Sequence, residues 1–412
     1  MSERNLPGSG SAAAEGLDVH MAEYLAMLAA AGYAETTQQD KRRVLVAFIR
    51  WARDGEYTLA DLDEACVGSF LARPSVRRRK GKHGDSGRAA LHQFLDHLRT
   101  VGVAPPYRPV EPPPAEVLVQ KYLDHLRGDR GLCARSIEVY SPFAHAFVAA
   151  QRLPECVATL DASAVRSYLL GRSQNRSVSF VKLLTAALRS FLRFLFLDGA
   201  TAADLSMAVP PVRRWRLAAV PPFLTAEEVE LVIAATDRST ARGRRALAML
   251  LLLARLGLRA GEVVALELDD IRWDVGEIVV RGKGRVHDRL PLLEDVGEAL
   301  ALYLREARGP SASRRVFLRR CAPHVGLSGP TAVCVVAREA LRRAGLRPTG
   351  RVGAHVFRHS LATRMIRRGA SLGEISQVLR HRSIDSTQLY AKVEFEALRG
   401  VALPWPTTEA RS

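Results

Sequence analysis

The sequence has few cysteines, and their positions do not suit the structures that cysteines usually build. Five cysteines lie far apart in 412 residues, with no Cys-x-x-Cys spacing. An odd, scattered set argues against a disulfide framework and against a zinc site, and indicates reduced thiols inside the cell. We therefore expect neither a disulfide nor a zinc ion to hold the fold together.

Long apolar runs are also absent. The run that contains Leu247 to Ala254 spans nine residues, starting at Ala246, whereas a helix that crosses a bilayer needs about 20. The first 16 residues are polar and rich in Gly, Ser and Ala, unlike a signal peptide. We expect a cytoplasmic protein with no membrane partner.

Acidic residues are fewer than basic ones. The sequence has 43 Asp and Glu residues and 60 Lys and Arg residues, which gives a formal net charge of +17. With 48% hydrophobic and 25% charged residues the chain has an ordinary globular composition, which excludes a disordered or collagen-like protein. The excess positive charge indicates a polyanionic partner, and nucleic acid is the first candidate.

Proline divides the chain into three blocks. Residues 105–114 hold six prolines in ten positions, a composition typical of a stiff, extended spacer. A second proline-containing break spans 210–222 around a basic run. These breaks predict a disordered N-terminus (1–15), a first helical bundle (16–103), a proline-rich linker (104–114), a second bundle (115–205), a basic linker (206–223), a catalytic block (224–400) and a C-terminal tail (401–412).

The first two blocks resemble each other in sequence. Matching residues recur in order at separations of 97–99 residues, and within each block apolar residues recur at helical spacing. Any two helical bundles share some Leu and Phe spacing, but so long an ordered set favours duplication of one unit. The matches include Tyr24 with Tyr122, Leu28 with Leu126, Phe48 with Phe147, Phe70 with Tyr168, and Phe94 with Phe191.

The third block mixes helix and strand signals. Thr225 followed by Glu228 predicts a capping box at a helix start, and the apolar run 247–258 predicts a buried helix. Segments 277–281 and 286–290 flank a Gly-Lys-Gly turn, which predicts a β-hairpin. The expected fold class is mainly α with a small β-sheet.

Four short stretches of this block carry reactive side chains. They are Gly257–Glu262 with Arg259, the hairpin turn with Lys283, the His355-Val-Phe-Arg358-His359 segment, and the region from His381 to Tyr390. On a helix, His355 and Arg358 share one face because they are three residues apart. Taken singly each residue has an ordinary structural explanation, and only their combination is specific.

This set suits chemistry on one phosphodiester. A guanidinium donates two hydrogen bonds to phosphate oxygens and stays charged, so Arg259 and Arg358 could neutralise the phosphate. A tyrosine hydroxyl has a pKa of about 10 and needs such neighbours to become a nucleophile. Lys283 could protonate the leaving oxygen. No cluster of Asp and Glu suggests Mg²⁺, so the sequence predicts transesterification without a metal.

These stretches, in this order and spacing, resemble the tyrosine recombinases, the phage-integrase type of site-specific recombinase. The resemblance covers the third block, and the middle block is similar to that family's SAM-like core-binding domain. It implies that the catalytic block is a mixed α/β tyrosine-recombinase domain and that both helical bundles bind DNA. It also implies six catalytic residues and one supporting residue, namely Arg259, Lys283, His355, Arg358, His381 and Tyr390, with Glu262 in support.

The resemblance also implies how these residues act. The two arginines bind the scissile phosphate, Lys283 is the general acid for the 5′-hydroxyl, and Tyr390 forms a 3′-phosphotyrosine. The histidines bind the phosphate and assist proton transfer, and the glutamate supports Arg259. Enzymes of this type need no cofactor and act as tetramers on two DNA duplexes, with a C-terminal tail that docks on a neighbour. The added N-terminal bundle favours an integrase or transposase of a mobile element, with accessory recombinases as possible partners.

Two positions depart from the family pattern. Arg380 precedes His381 where many members have glycine, and Arg285-Val286-His287 follows the Gly-Lys-Gly turn in place of the commoner Asn-Lys-Glu. The first change predicts a different loop before the histidine, and the second predicts different contacts of the hairpin.

Two basic runs are candidates for DNA contact. For the run 75–82, a solvated loop and a DNA-contacting loop are equally good interpretations, while the run 212–216 lies in a linker that crosses DNA in the family. Phosphate contacts of this kind give salt-sensitive affinity without sequence choice. The candidate residues are Arg77, Arg78, Arg79, Lys80, Lys82, Arg213, Arg214 and Arg216.

Two other functions fit parts of this pattern. A catalytically silent, sequence-specific DNA-binding protein would not need all six reactive residues. A type IB topoisomerase-like relaxing enzyme shares the chemistry but acts as a monomer without site choice. The number of protomers on DNA would separate the latter from a recombinase.

Overall fold

A computed structural model of the protein is mainly helical, with a single small sheet among the residues that it describes. Those residues are 10–73, 84–107, 111–212, 222–282, 287–348 and 352–381. By their contacts they form two compact units, Tyr107–Arg216 and a unit that combines Met1–Pro106 with Leu217–Ser412. No helix in these ranges is long and apolar enough to cross a membrane.

The N-terminal residues form a helical bundle with its own hydrophobic core. At its centre Tyr24 is fully buried, and its ring meets that of Phe94 edge to face at 5.6 Å. The helices are α1 (Gly10–Ala30), α2 (Glu35–Asp54), α3 (Glu64–Ala72) and α4 (Gly84–Thr100), with a 3-10 turn at Leu59–Asp61.

The first helix begins earlier than the sequence analysis predicts. A disordered stretch through residue 15 is wrong for residues 10–15, which are already helical. The physical reason is composition, because Ala12, Ala13, Ala14 and Glu15 are strong helix formers.

The second unit is also a helical bundle, and its centre parallels that of the first. Tyr122 is fully buried and meets Phe191 edge to face at 5.0 Å. Like Gly102 in the first bundle, Gly199 follows the last helix with a left-handed backbone, at φ 74°. The helices are α5 (Pro114–Gly128), α6 (Ala134–Gln151), α7 (Ala162–Ser173) and α8 (Val178–Leu197), with 3-10 turns at Val157–Thr159 and Leu205–Ala208.

This bundle extends further than its predicted end at residue 205. Ser206 and Val209 are both buried, and the carbonyl oxygen of Val209 accepts a hydrogen bond of 2.9 Å from the guanidinium of Arg189. Ser206 and Val209 are therefore packed into the bundle, and the described linker starts after them.

The third part of the chain is built around one buried helix. Thr225 and Glu228 form the predicted capping box at its first helix, and the predicted apolar helix is α10, in which residues 247–254 are all buried. The helices are α9 (Ala226–Ala234), α10 (Ala241–Arg255), α11 (Ala260–Ala265), α12 (Glu294–Glu306), α13 (Pro330–Arg343), α14 (His355–Arg367) and α15 (Leu372–Val378), with a 3-10 turn at Leu268–Asp270.

The sheet is an antiparallel meander of three strands, β1 (Ile271–Arg272), β2 (Glu277–Arg281) and β3 (His287–Pro291). The predicted hairpin is therefore present, although the described part of its second strand begins at residue 287. Arg281 pairs with His287, and Ile278 pairs with both Leu290 and Ile271. The short strand β1 was not predicted, because two residues carry no detectable alternation.

Candidate active site

The first arginine of the site, Arg259, lies just after the end of helix α10. The helix ends at Arg255, and Gly257 then adopts a left-handed backbone with φ 59°. A Cβ atom at this glycine would lie 2.8 Å from Leu379 and 2.9 Å from Leu361. Only glycine allows both this backbone and this close packing, so the turn that precedes Arg259 depends on it.

Arg259 and Glu262 hold each other across the first turn of α11. Glu262 accepts hydrogen bonds from the Arg259 backbone amide at 2.8 Å and from the Arg259 guanidinium at 2.6 Å. Burial would raise the pKa of Glu262, but these hydrogen bonds and the positive charges of Arg380 and Arg259 hold it below its ordinary value. A buried, ionised carboxylate therefore fixes the direction of Arg259.

Helix α14 provides the second arginine. His355 is its first residue, and Arg358 lies on the same face one turn later, as the spacing predicts. The Arg358 side chain is only 4% exposed and donates to the carbonyl oxygens of Gly257 and Leu379. These contacts join α14 to the turn before Arg259 and to the end of α15.

The histidines of the site are held in the neutral form. Burial, then the charges of Arg358 and Arg259, lower the pKa of His381 to about 4. The same causes lower the pKa of His355. Burial, His355 and Arg358 lower the pKa of His359 to about 4. A neutral imidazole can donate one hydrogen bond and accept another, which suits proton transfer next to a phosphate.

The structure thus brings together five of the predicted residues from three parts of the chain. Arg259 and Glu262 come from α11 and its start, His355 and Arg358 from α14, and His381 from the segment after α15. Within the described residues, no group of three His, Cys, Asp or Glu side chains could hold a metal ion. The arrangement can bind one anionic group with two guanidiniums and neutral imidazoles.

The remaining predicted residues lie outside the described ranges. They are the catalytic residues Lys283 and Tyr390 and the DNA-binding candidates Arg77, Arg78, Arg79, Lys80, Lys82, Arg213, Arg214 and Arg216. The same holds for the C-terminal tail, residues 401–412.

Sequence reasoning did not give Arg380 a role. Its side chain is 6% exposed and donates a hydrogen bond of 2.8 Å to Oε2 of Glu262. The Arg259 guanidinium binds the other carboxylate oxygen, Oε1. The available signal was the arginine in place of glycine before His381, but the sequence did not reveal its partner.

Comparisons with known proteins identify the family of the chain. Residues 222–397 match the phage integrase family. The chain is 41% identical over 382 residues to the putative integrase/recombinase y4rA of Sinorhizobium fredii, covering 91% of each chain. It is 30% identical to the tyrosine recombinase XerD of Listeria monocytogenes, over 69% of this chain and 96% of that relative.

Solved structures show the same fold. A lambda integrase tetramer bound to a Holliday junction superposes with a TM-score of 0.52 at 16% identity, over 81% of this chain and 91% of that one. The sequence relationship to y4rA covers nearly the whole chain, and the family match contains every predicted catalytic residue. The chain belongs to the phage integrase family and is a tyrosine site-specific recombinase.

Proposed function

We propose that this chain cuts and rejoins DNA through a covalent 3′-phosphotyrosine, with Tyr390 as the nucleophile. The observation that carries the proposal is the convergence of Arg259, Arg358 and two neutral histidines at one place. Two fixed positive charges stabilise the additional negative charge of a phosphoryl transition state more than the ground state.

The proposed chemistry balances without a metal or other cofactor. The Tyr390 hydroxyl oxygen bonds to phosphorus and gives up its proton, and the bond from phosphorus to the 5′-oxygen breaks. That oxygen takes a proton from Lys283, and His355 and His381 assist the proton transfers. The reverse attack by a 5′-hydroxyl rejoins the strand, so the phosphotyrosine conserves the bond energy and no nucleotide hydrolysis is needed.

We further propose that the two helical bundles are copies of one DNA-binding unit. Among the residues that the structure describes, both have the order of two helices, a 3-10 turn and two more helices. Both place a fully buried tyrosine edge to face against a phenylalanine, Tyr24 with Phe94 and Tyr122 with Phe191. These parallels support duplication. Contacts from the basic runs at 75–82 and 212–216 would add affinity that falls with salt.

The proposed assembly is a tetramer on two DNA sites, serving integration or transposition of a mobile element. The support is the fold shared with lambda integrase, whose structure is a tetramer bound to a Holliday junction. Sedimentation of the complex with DNA would distinguish a recombinase, with four protomers, from a monomeric relaxing enzyme. Accessory recombinases would be needed only if the purified chain binds DNA and fails to cut it.

The test uses DNA that carries this gene and its flanking sequence. The protein is incubated with this DNA in EDTA, the reaction is stopped with SDS, and peptides are searched by mass spectrometry for a nucleotide adduct. We expect the adduct on Tyr390 in the wild type, and Tyr390→Phe should bind the same DNA without forming it. Tight binding without an adduct in the wild type would instead favour a catalytically silent DNA-binding protein or a chain that needs a partner recombinase.

A further inference from the structure

Arg380 has a backbone conformation that its side chain does not favour. Its φ is 53°, in the left-handed region that residues with a Cβ atom rarely adopt. The family resemblance places glycine here, and glycine would adopt this conformation without strain. An arginine at such a position indicates that its side chain has a use.

The side chain of Arg380 is buried and makes several polar contacts. Besides Glu262, its guanidinium reaches the carbonyl oxygens of Val378 at 3.2 Å and Leu256 at 3.5 Å. In the other direction, the carbonyl oxygen of Arg380 accepts a hydrogen bond of 3.2 Å from the Arg259 guanidinium. One residue therefore contacts both members of the Arg259–Glu262 pair.

A second carboxylate lies on the other side of this guanidinium. The Nε atom of Arg380 is 3.9 Å from the Asp288 carboxylate on β3. It has no hydrogen-bond acceptor among the described residues. Arg380 thus stands between the carboxylates of Glu262 and Asp288.

The local charges show what this arrangement does. Without Arg380, the two negative charges of Glu262 and Asp288 would offset the positive charges of Arg259 and Arg358, and the site would have no net positive charge. Such a site would bind a phosphate more weakly, and at these short distances the effect is strong wherever water is excluded. Arg380 restores a net positive charge, and its carbonyl oxygen holds one nitrogen of the Arg259 guanidinium.

We propose that Arg380 is a positioning residue of the site, which keeps Arg259 oriented and available for an anionic phosphate by compensating Glu262 and Asp288. The inference rests on the proposed role of Arg259 in phosphate binding. It predicts that Arg380 affects the reacting phosphate and leaves the overall affinity for DNA unchanged.

The central variant is Arg380→Gly, which removes the charge and also the backbone strain. We expect a folded protein, because the relief of backbone strain offsets part of the stability lost with the buried ion pair to Glu262. Single-turnover cleavage should slow by about 10- to 100-fold, the range typical of residues that orient a reactive group. Affinity for the DNA should stay within about twofold. Cleavage at the wild-type rate by a folded Arg380→Gly protein would overturn the proposal.

Two further variants separate charge from packing. Arg380→Lys keeps the charge and should recover part of the rate. Asp288→Asn added to Arg380→Gly removes the uncompensated negative charge, so the double variant should cleave faster than Arg380→Gly alone. A role limited to packing predicts no rescue by either change. Arg152 is an exposed arginine with the same backbone conformation, φ 51°, and Arg152→Gly is the control for strain relief alone.

A measurement without DNA keeps this proposal separate from the proposed function. Inorganic phosphate is titrated into the DNA-free protein by calorimetry, with Arg259→Ala as the reference for a lost site. We expect Arg380→Gly to weaken phosphate binding by about tenfold, consistent with loss of one compensating charge. If Arg259→Ala weakens binding and Arg380→Gly does not, only the role of Arg380 is overturned. If Arg259→Ala binds phosphate like the wild type, the phosphate site itself is wrong.

Discussion

The guanidinium of Arg358 donates a hydrogen bond to the carbonyl oxygen of Gly257, which lies 101 residues earlier in the chain. This bond connects the helix that carries one arginine of the site to the turn that presents the other. The two arginines are consequently fixed relative to each other before any DNA is bound, which is what preorganised charge stabilisation requires.

Replacing either arginine with alanine should impair cleavage far more than DNA binding. We expect Arg259→Ala and Arg358→Ala each to slow single-turnover cleavage by at least about 100-fold, the usual cost of removing one group that stabilises transition-state charge. Binding isotherms and cleavage rates on the same DNA would measure both effects. Arg305→Ala, at an exposed position of α12, is the matched control, and equal losses of binding and cleavage would show that the arginines serve general affinity.

Replacing Glu262 with alanine should destabilise the protein as well as the site. The carboxylate is 8% exposed and the Arg380 side chain only 6%, so the change leaves a buried guanidinium without its main partner. The expected loss is about 3 kcal/mol of unfolding free energy, as for breaking other buried ion pairs. Urea unfolding would measure it, with Glu262→Gln retaining part of the stability. A Glu262→Ala protein as stable as the wild type would contradict the buried-pair description.

Alanine at Gly257 should cost more than alanine at another left-handed glycine. Both Gly257 and Gly276 have positive φ, at 59° and 64°. At either position the backbone change costs about 1–2 kcal/mol. Only at Gly257 does the new Cβ meet other atoms, the side chains of Leu379 and Leu361, which adds about 1–3 kcal/mol. Similar unfolding midpoints for Gly257→Ala and Gly276→Ala would show that the leucines move aside freely.

The neutral histidines predict a stability that declines in mild acid. The pKa of His359 and of His381 is about 4 in the folded protein, against about 6.5 in an unfolded chain. Between these values the unfolded state binds more protons, so stability rises with pH from about 4 to about 6.5 and is fully present above that range. Urea midpoints at several pH values should show this slope, and His359→Gln should flatten it. An equal slope in the variant would place the titrating groups elsewhere.

Much of the site followed from local sequence patterns. The capping box at Thr225 and the shared face of His355 and Arg358 depend on residues three apart, where helix geometry alone decides the contact. The buried helix over 247–254 followed from an unbroken apolar run. Each of these features needs only one element of secondary structure.

Other features depend on contacts between distant parts of the chain. Arg380 binds Glu262, which lies 118 positions earlier in the chain, and its left-handed backbone depends on the loop in which it lies. The burial of Val209 against the second bundle is similar, because a short 3-10 turn carries no periodic pattern. Local secondary-structure propensity does not predict such contacts between distant residues, because the tertiary fold determines them.

The burial of helix α10 also predicts slow hydrogen exchange. Its residues 247–254 have no solvent-facing side, so their amides should exchange with deuterium only when this whole part of the protein opens. Arg259 follows this helix after a single tight turn. The proposed phosphate-binding group is therefore attached to a segment that should open slowly. We expect any motion that accompanies strand exchange to take place in other elements, while the arginine keeps its position from one round of cutting to the next.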